Sequence, residues 1–370
     1  MTCVDLIYFN AGGGHRAAAT ALQHAMRPLN WEVRLVNLVE MLDPQGQFFR
    51  ALGFQPEDLY NKRLASGLTL GMVHELKMLQ WLIRRAHTTL VDRLRPAWAA
   101  RRPDMVVSLI PNFNRALCES LTQALPGVPY VTVLTDMADH PPHFWIEPDQ
   151  PQQLICGTEF AAQQARLAGC PPQRIHTTSG MILSPGFYDL APLQRDLERP
   201  KHGLTEQQVV GVVMFGGYGS QAMQRIASRL PETPLILLCG RNAALARALR
   251  TQPAQAPRVV VEFTDDVPYW LRLADFFIGK PGPASVSEAV QLGLPVIVTR
   301  NAWTMPQERW NAQWVTQQGV GVVLRSFRTV AAAVASITGD LPHWQHNVRQ
   351  IHNRAVFEVP LILQRLQQQA

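Results

Sequence analysis

The chain has 370 residues, more than one hydrophobic core ordinarily supports, so two domains are expected. Hydrophobic residues make up 47% of it with no bias toward disorder, and its five cysteines (Cys3, Cys118, Cys156, Cys170, Cys239) lie far apart without a C-x-x-C pair, which excludes a zinc knuckle and a disulfide framework and favours a reducing compartment. The formal net charge of +6 is uneven: residues 59–102 hold nine Lys/Arg against only Glu75 and Asp92, so an anionic partner, either nucleic acid or a membrane surface, is expected there.

Val4 to Phe9 reads as a short apolar strand, which leaves no room for a signal peptide, and it opens into three glycines followed by an alanine-rich helix. Strand, glycines and helix N-terminus together favour an anion or a close approach by another molecule. Gly12, Gly14 and Ala17 also satisfy G-x-G-x-x-A, the dinucleotide fingerprint. A dinucleotide site wants an acid about 20 residues on, but the next strand, Glu32 to Leu38, ends near Asn37, so the NAD-dependent dehydrogenase ranks last. His15 follows the glycines directly, which makes it a candidate for contact with a reacting group.

From Leu59 to Leu94 the pattern is helical, with Leu68, Met72, Leu76, Leu79, Ile83 and Leu90 as an apolar stripe widened by Trp81 and Leu82. Basic residues, including Lys77, Arg84 and Arg85, flank it. Two readings fit: an interfacial helix whose arginines meet anionic lipid, and a core-facing helix with a solvated basic face. No nucleic-acid motif or stacking series accompanies the charge, so nucleic acid is not expected.

Asp104 to Ile110 and Pro129 to Leu134 read as buried parallel strands, the second leading into TDMADHPPHFW. Asp136, Asp139, His140 and His143 lie on that loop without a recognised ligand spacing, which favours lining a substrate or structuring the loop over binding a metal. A strand (Gln153 to Cys156) and a helix (Glu159 to Ala168) follow. Leu183 to Gln208 then loses periodicity and gathers prolines and glycines, the pattern of a linker.

Strand and helix then alternate again. Val209 to Phe215, Leu235 to Cys239 and Val259 to Phe263 are strands, the first two followed by GGYGSQAM and GRNAAL. Phe276 to Ile278 runs through a Gly/Pro turn into a helix with Ser285, Ser287 and Glu288, and Pro295 to Val298 leads to Gln307, Glu308 and Asn311. The amides of Ala284 and Ser285 and the charge of Lys280 suit a pyrophosphate, and Glu288 suits a sugar diol. No apolar run is long and uninterrupted enough to span a bilayer. Residues 341–370 look helical despite Pro360 and are expected to pack back on the first half.

The motifs NAGGGHRAAATAL, TDMADHPPHFW, GMILSPGF, LCGRN, KPGPASVSEA and PQERWNA occur here in the order found in the monogalactosyl- and diglucosyl-diacylglycerol synthases, relatives of the transferase that completes lipid II, and the chain resembles that family from about Val4 to Leu324. The resemblance implies an α/β chain of GT-B fold: two Rossmann-like doubly wound domains facing across a cleft. Residues 1–190 would form the acceptor and membrane-side domain and residues 205–340 the nucleotide-sugar domain. It implies hexose transfer from a UDP-sugar to a lipid such as diacylglycerol, with inversion, no metal and no cofactor, by a cytoplasmic protein on the inner face of the cell membrane.

By matching position, Glu288 would hold the ribose, Gln307 and Glu308 the sugar or pyrophosphate, and Gly216, Gly217 and Ser220 the phosphates, with Phe263, Thr264 and Asp265 reading the base. Gly14, Arg241, Gly282 and Asn311 complete the expected donor set. His15, whose ordinary pKa of about 6.5 is near working pH, would be the general base, with Asp136 or Asp139 as its replacement. Lys77, Trp81, Arg84 and Arg85 would face membrane and acceptor. Two positions depart from the family: Pro306 stands where P-G-Q-E has glycine, and Ser184 where an arginine precedes Pro185. The rivals are a GT-B epimerase or hydrolase that needs no lipid, and a non-catalytic nucleotide-sugar-binding protein.

Overall fold

The computed structural model describes residues 1–10, 14–43, 46 and 72–369. Gly12, Lys62, Arg63 and Leu68 lie outside the described residues. Of those described, residues up to 185 together with 353–369 form one compact unit, and residues 186–352 form the other.

The first unit is built on β1 (Cys3–Tyr8), β2 (Glu32–Asn37), β3 (Met105–Ser108), β4 (Tyr130–Val133), β5 (Gln153–Cys156) and β6 (Ile175–Thr177), in the order β2-β1-β3-β4-β5-β6. The second is built on β7 (Gly211–Met214), β8 (Leu235–Leu238), β9 (Arg258–Val261), β10 (Phe276–Gly279), β11 (Val296–Thr299) and β12 (Gly321–Leu324), in the order β12-β11-β10-β7-β8-β9. Every pairing is parallel. Parallel strands carry helices on both faces, so their cores read as unbroken apolar runs. Leu235–Leu238, Phe276–Ile278 and Met105–Val107 are all buried, each large side chain contributing about 1.5–3 kcal/mol through its removal from water. The edge strands β6 and β12 are half-buried, short and polar-flanked, and sequence periodicity does not reveal them.

In each sheet the strand order reverses once, between β1 and β3 and between β7 and β10. At such a switch point the loops leave the carboxyl ends in opposite directions and open a crevice for a ligand.

The residue that ends β2 explains why the dinucleotide reading fails. Asn37 is buried and its side chain accepts from the Val39 amide at 2.8 Å, capping the helix Leu38–Leu42.

The stretch Leu183 to Gln208, expected to be a linker, holds the boundary between the units after Pro185, and from Gly186 onward it folds with the second unit. Arg199, 2% exposed, pairs with Asp275 at 2.6 Å and donates to the carbonyls of Leu273, Glu206 and Gln208, while Arg195 takes the other Asp275 oxygen at 2.6 Å. One guanidinium has enough donors to satisfy that many carbonyls. Prolines and glycines hide this order in the sequence because it rests in part on Leu273 and Asp275, more than 70 residues away.

The C-terminal segment divides. Leu341–Arg349 belongs to the second unit, whereas Ala355–Gln369 packs on the helix Gly14–Ala25 of the first. Glu358 fastens the latter by accepting from the Ser179 amide at 2.7 Å and its hydroxyl at 2.8 Å.

Candidate active site

The second unit gathers most of the expected donor residues at its switch point. Met214 and Gly279 are register partners at the ends of β7 and β10, so the glycine loop and the Lys280 turn start side by side. The helix Pro283–Gln291 begins at Gly282 with no side-chain cap, and proline in its first turn has no N–H. Its remaining first-turn donors, at Ala284 and Ser285, are therefore not taken by a cap. Lys280 stands beside them, 2.6 Å from Glu308. Asn311 donates to the Pro281 carbonyl at 2.8 Å.

Two buried acceptors at this place lack a hydrogen-bond partner, Gln307 Oε1 and Asn311 Oδ1. Such atoms cost free energy unless a ligand donates to them. Glu288 is half-buried on the same helix, and burial pushes its carboxyl up to about 7 with no cation to offset it.

On the other side of the switch point, the loops after β7 and β8 touch. A Cβ on Gly240 would collide with the Gly217 backbone, and Arg241 donates its amide to the Gly217 carbonyl at 2.8 Å. Gly216 adopts a φ of 72°, which glycine alone enters without strain. The Arg241 guanidinium lies 3.9 Å from the Phe263 ring centroid, so the expected base-reading segment Phe263 to Asp265 carries a stacked cation. The Ser220 hydroxyl accepts from the Ala222 amide at 3.2 Å, next to the helix Ala222–Arg229.

Gly14 and His15 belong to the first unit, at its β1/β3 switch point. His15 opens the helix Gly14–Ala25, and its Nδ1 is 3.1 Å from Thr135 Oγ1 at the end of β4. Its ring lies 6.0 Å from that of Trp145. Burial lowers its pKa to about 4, with a hydrogen bond to the Leu109 backbone opposing the shift in part. This corrects the expectation of a value near 6.5. A residue that opens a helix reads as exposed, and only the folded sheet brings the loops after β3 and β4 against it. Sequence reasoning does not single out Thr135 or Trp145; the available signal was their place in the loop that β4 delivers.

That loop is fixed by its aspartates. Asp139 accepts from the amides of His143 (3.0 Å), Phe144 (3.0 Å) and Trp145 (2.7 Å), and burial still raises its carboxyl to about 6. Asp136 accepts from the Trp145 indole at 3.0 Å. Both carboxylates are thus engaged within the loop, Asp139 as its scaffold. Among the described residues no three His, Cys, Asp or Glu side chains converge as metal ligands would.

The helical stretch beyond residue 71 is two helices, Met72–Arg85 and His87–Arg101. The first is docked by Leu76, buried with Leu134, Phe144, Trp145 and Ile146, and by Gln80, which donates to the carbonyls of Pro142 and His143 at 3.4 and 3.3 Å. Met78, Leu79, Trp81 and Leu82 are between 42% and 58% exposed, and Lys77, Arg84 and Arg85 are exposed beside them. A helix serving only the core would not leave that face in water. No helix among the described residues is long and apolar enough to cross a membrane.

Residues 212–362 match the glycosyltransferase family 28 C-terminal domain. The chain is 26% identical to the "Probable monogalactosyldiacylglycerol synthase 2, chloroplastic" of Oryza sativa subsp. indica, over 99% of this chain and 81% of that protein. It is 23% identical to the "Processive diacylglycerol beta-glucosyltransferase" of Bacillus pumilus, over 93% of this chain and 89% of that one. Its fold matches the solved structure of the spinosyn rhamnosyltransferase SpnG complexed with thymidine diphosphate, with a TM-score of 0.61, 14% identity and 99% of both chains covered.

Proposed function

We propose that this chain, a GT-B hexosyltransferase homologous to the monogalactosyldiacylglycerol synthases and to a bacterial diacylglycerol glucosyltransferase, moves galactose or glucose from a UDP-sugar to the hydroxyl of diacylglycerol with inversion at the anomeric carbon. The observation that carries the donor half is the uncapped start of the helix Pro283–Gln291, with Lys280 beside it and an uncompensated Glu288 within it. Amide donors and an ammonium suit a pyrophosphate, and a half-buried carboxylate without a cation suits a pair of ribose hydroxyls.

In the reaction the acceptor oxygen bonds to the anomeric carbon as the bond from that carbon to the UDP oxygen breaks on the opposite face. The leaving electron pair stays on UDP, where Lys280 and the amides of Ala284 and Ser285 meet the growing charge. The hydroxyl proton goes to His15. Nδ1 lies 3.1 Å from the Thr135 hydroxyl; in the tautomer that carries its proton on Nδ1, Nε2 keeps its lone pair, and a pKa of about 4 leaves the ring neutral at working pH. A weak base suffices, because the acceptor hydroxyl becomes strongly acidic once its oxygen has begun to bond to carbon.

The acceptor is a lipid, and the exposed apolar and basic face of Met72–Arg85 fits peripheral binding to an anionic membrane, on the cytoplasmic side. Replacing Arg84 and Arg85 together by alanine is expected to weaken association with phosphatidylglycerol liposomes about tenfold or more, at about 1 kcal/mol per cation, and to make the residual binding less salt-sensitive. Liposome flotation at two salt concentrations measures this, and unchanged binding would remove the helix from the membrane contact.

The function itself is tested by incubating the protein with UDP-galactose, UDP-glucose and UDP-N-acetylglucosamine and diacylglycerol vesicles, and weighing the lipid products. A lipid heavier by one hexose is expected. Conversion of the nucleotide-sugar at a rate indifferent to lipid would instead identify an epimerase or hydrolase.

A further inference from the structure

We infer that Trp303 is a specificity-determining residue, whose indole packs against the apolar face of the donor's hexose and distinguishes a UDP-hexose from UDP. The inference deepens the donor-site reading above and rests on it. Among the described residues of the second unit, the large hydrophobic side chains left exposed are Leu197, Tyr218 (39%), Phe263 (48%) and Trp303 (48%). A single exposed apolar residue needs no explanation. The three aromatics, however, all lie on loops that leave the carboxyl ends of strands: Tyr218 after β7, Phe263 after β9 and Trp303 after β11. That is the end where an open parallel sheet holds its ligand.

The sheet order assigns them different parts of that ligand. From β11 to β9 there are four strand intervals, β11-β10-β7-β8-β9, which at about 4.8 Å each come to roughly 19 Å. A nucleotide-sugar with its pyrophosphate at the helix that follows β10, and its base at Phe263 after β9, has its hexose toward β11. Trp303 is the exposed aromatic there, four residues before Gln307, whose buried Oε1 lacks a partner.

Hydrogen bonds also fix the turn that carries this residue. Asn301 Oδ1 accepts the Trp303 amide at 2.8 Å, and the Asn301 amide donates to Thr304 Oγ1 at 3.0 Å. Thr304 Oγ1 donates in turn to the Thr299 carbonyl, and Asn301 Nδ2 to that of Arg325 at 2.9 Å. Thr304 and Met305, next in sequence, are both 7% exposed. Trp303 thus lies 48% exposed in a hydrogen-bonded turn, directly before the buried Thr304 and Met305. A hexose carries hydroxyls on its edge, which suit Gln307 and Glu308, and C–H groups on its face, which have no polar partner. An aromatic ring supplies the surface that this face lacks.

The test compares the full-length protein with its Trp303→Ala and Trp303→Phe variants by calorimetry, using UDP, UDP-galactose and UDP-glucose as titrants. UDP is expected to bind all three proteins within about twofold. The better UDP-hexose is expected to bind Trp303→Ala about tenfold more weakly, the order of an aromatic contact, and Trp303→Phe is expected to recover most of the loss. Equal weakening of UDP and UDP-hexose, unchanged UDP-hexose binding, or a change confined to the KM of the lipid acceptor would each overturn the assignment. An unsubstituted protein that binds UDP-hexose no better than UDP would overturn it too. Failure of the unsubstituted protein to bind UDP at all would instead remove the donor site on which the assignment rests.

Discussion

Replacing His15 by alanine is expected to lower turnover by about 10²- to 10⁴-fold, the usual worth of a general base, while UDP affinity stays within about twofold. The two effects separate because His15 and Gly14 belong to the first unit, whereas Lys280, Glu288 and the helix Pro283–Gln291 belong to the second. The structure also fixes where the acid limb of this group falls. Burial lowers the imidazole pKa to about 4, so the ring is neutral from pH 5 upward and gains its proton only below that range. Between pH 5 and 8, kcat/KM should therefore show no inflection assignable to His15. Single-turnover transfer with the variant measures the first effect and a pH series the second. A loss of less than tenfold would pass the role of base to Asp136, whose carboxylate lies in the same loop as Thr135.

Replacing Glu288 should have the opposite signature, with donor binding lost first. A half-buried carboxylate that accepts from two ribose hydroxyls makes charge-assisted hydrogen bonds of about 1.5–3 kcal/mol each, so Glu288→Ala is expected to weaken UDP binding by roughly 10- to 100-fold or more. Its carboxyl, ordinarily near 4.5, stands at about 7 in the folded protein because burial disfavours the charge. Below pH 7 the group is protonated and one acceptor is lost, so UDP affinity should rise as pH rises through 7, with proton release on binding.

The same shift has a sign for stability. A carboxyl raised on folding binds its proton more tightly in the folded state, so the stability it supports is complete below about pH 4.5 and is lost as pH rises to 7. Glu288→Gln, which cannot ionise, should therefore stabilise the unliganded protein at pH 8 by up to about 3 kcal/mol, while weakening UDP and abolishing the pH step. Thermal melts at pH 5 and pH 8 with UDP titrations decide this. A variant that binds UDP normally, or is no more stable at pH 8, would show that Glu288 is not the uncompensated ribose ligand.

Much of the arrangement of the candidate donor residues was legible because it is local. Lys280, Ala284, Ser285 and Glu288 lie within nine residues of one strand-turn-helix, and the spacing of that unit alone carries them to the same helix start. Gln307, Glu308 and Asn311 follow the next strand by the same logic. The apolar strands were legible for a related reason. A strand buried on both faces needs consecutive Val, Ile, Leu and Phe, and that pattern survives without any partner.

What was not legible depends on distant partners. Thr135 lies 120 positions from His15, and Arg199 lies 76 from Asp275. Neither pair has a sequence period, since each is made by strands and loops that meet only in the sheets. The same holds for the basic helix, where sequence left the core-facing and interfacial readings open. Leu76 is buried while Met78, Leu79, Trp81 and Leu82 stay exposed, a division that no helical period sets.

The sequence by itself determined the alternation of buried strands and helices and the chemistry at their turns, since hydrophobic period and turn residues act over a few positions. Only the tertiary structure decided the order of the strands, and with it the two switch points at β1/β3 and β7/β10 where those turns gather. It also decided the protonation of His15 and Glu288. A pKa follows from how much water the rest of the fold removes, and that depends on residues far away in the chain.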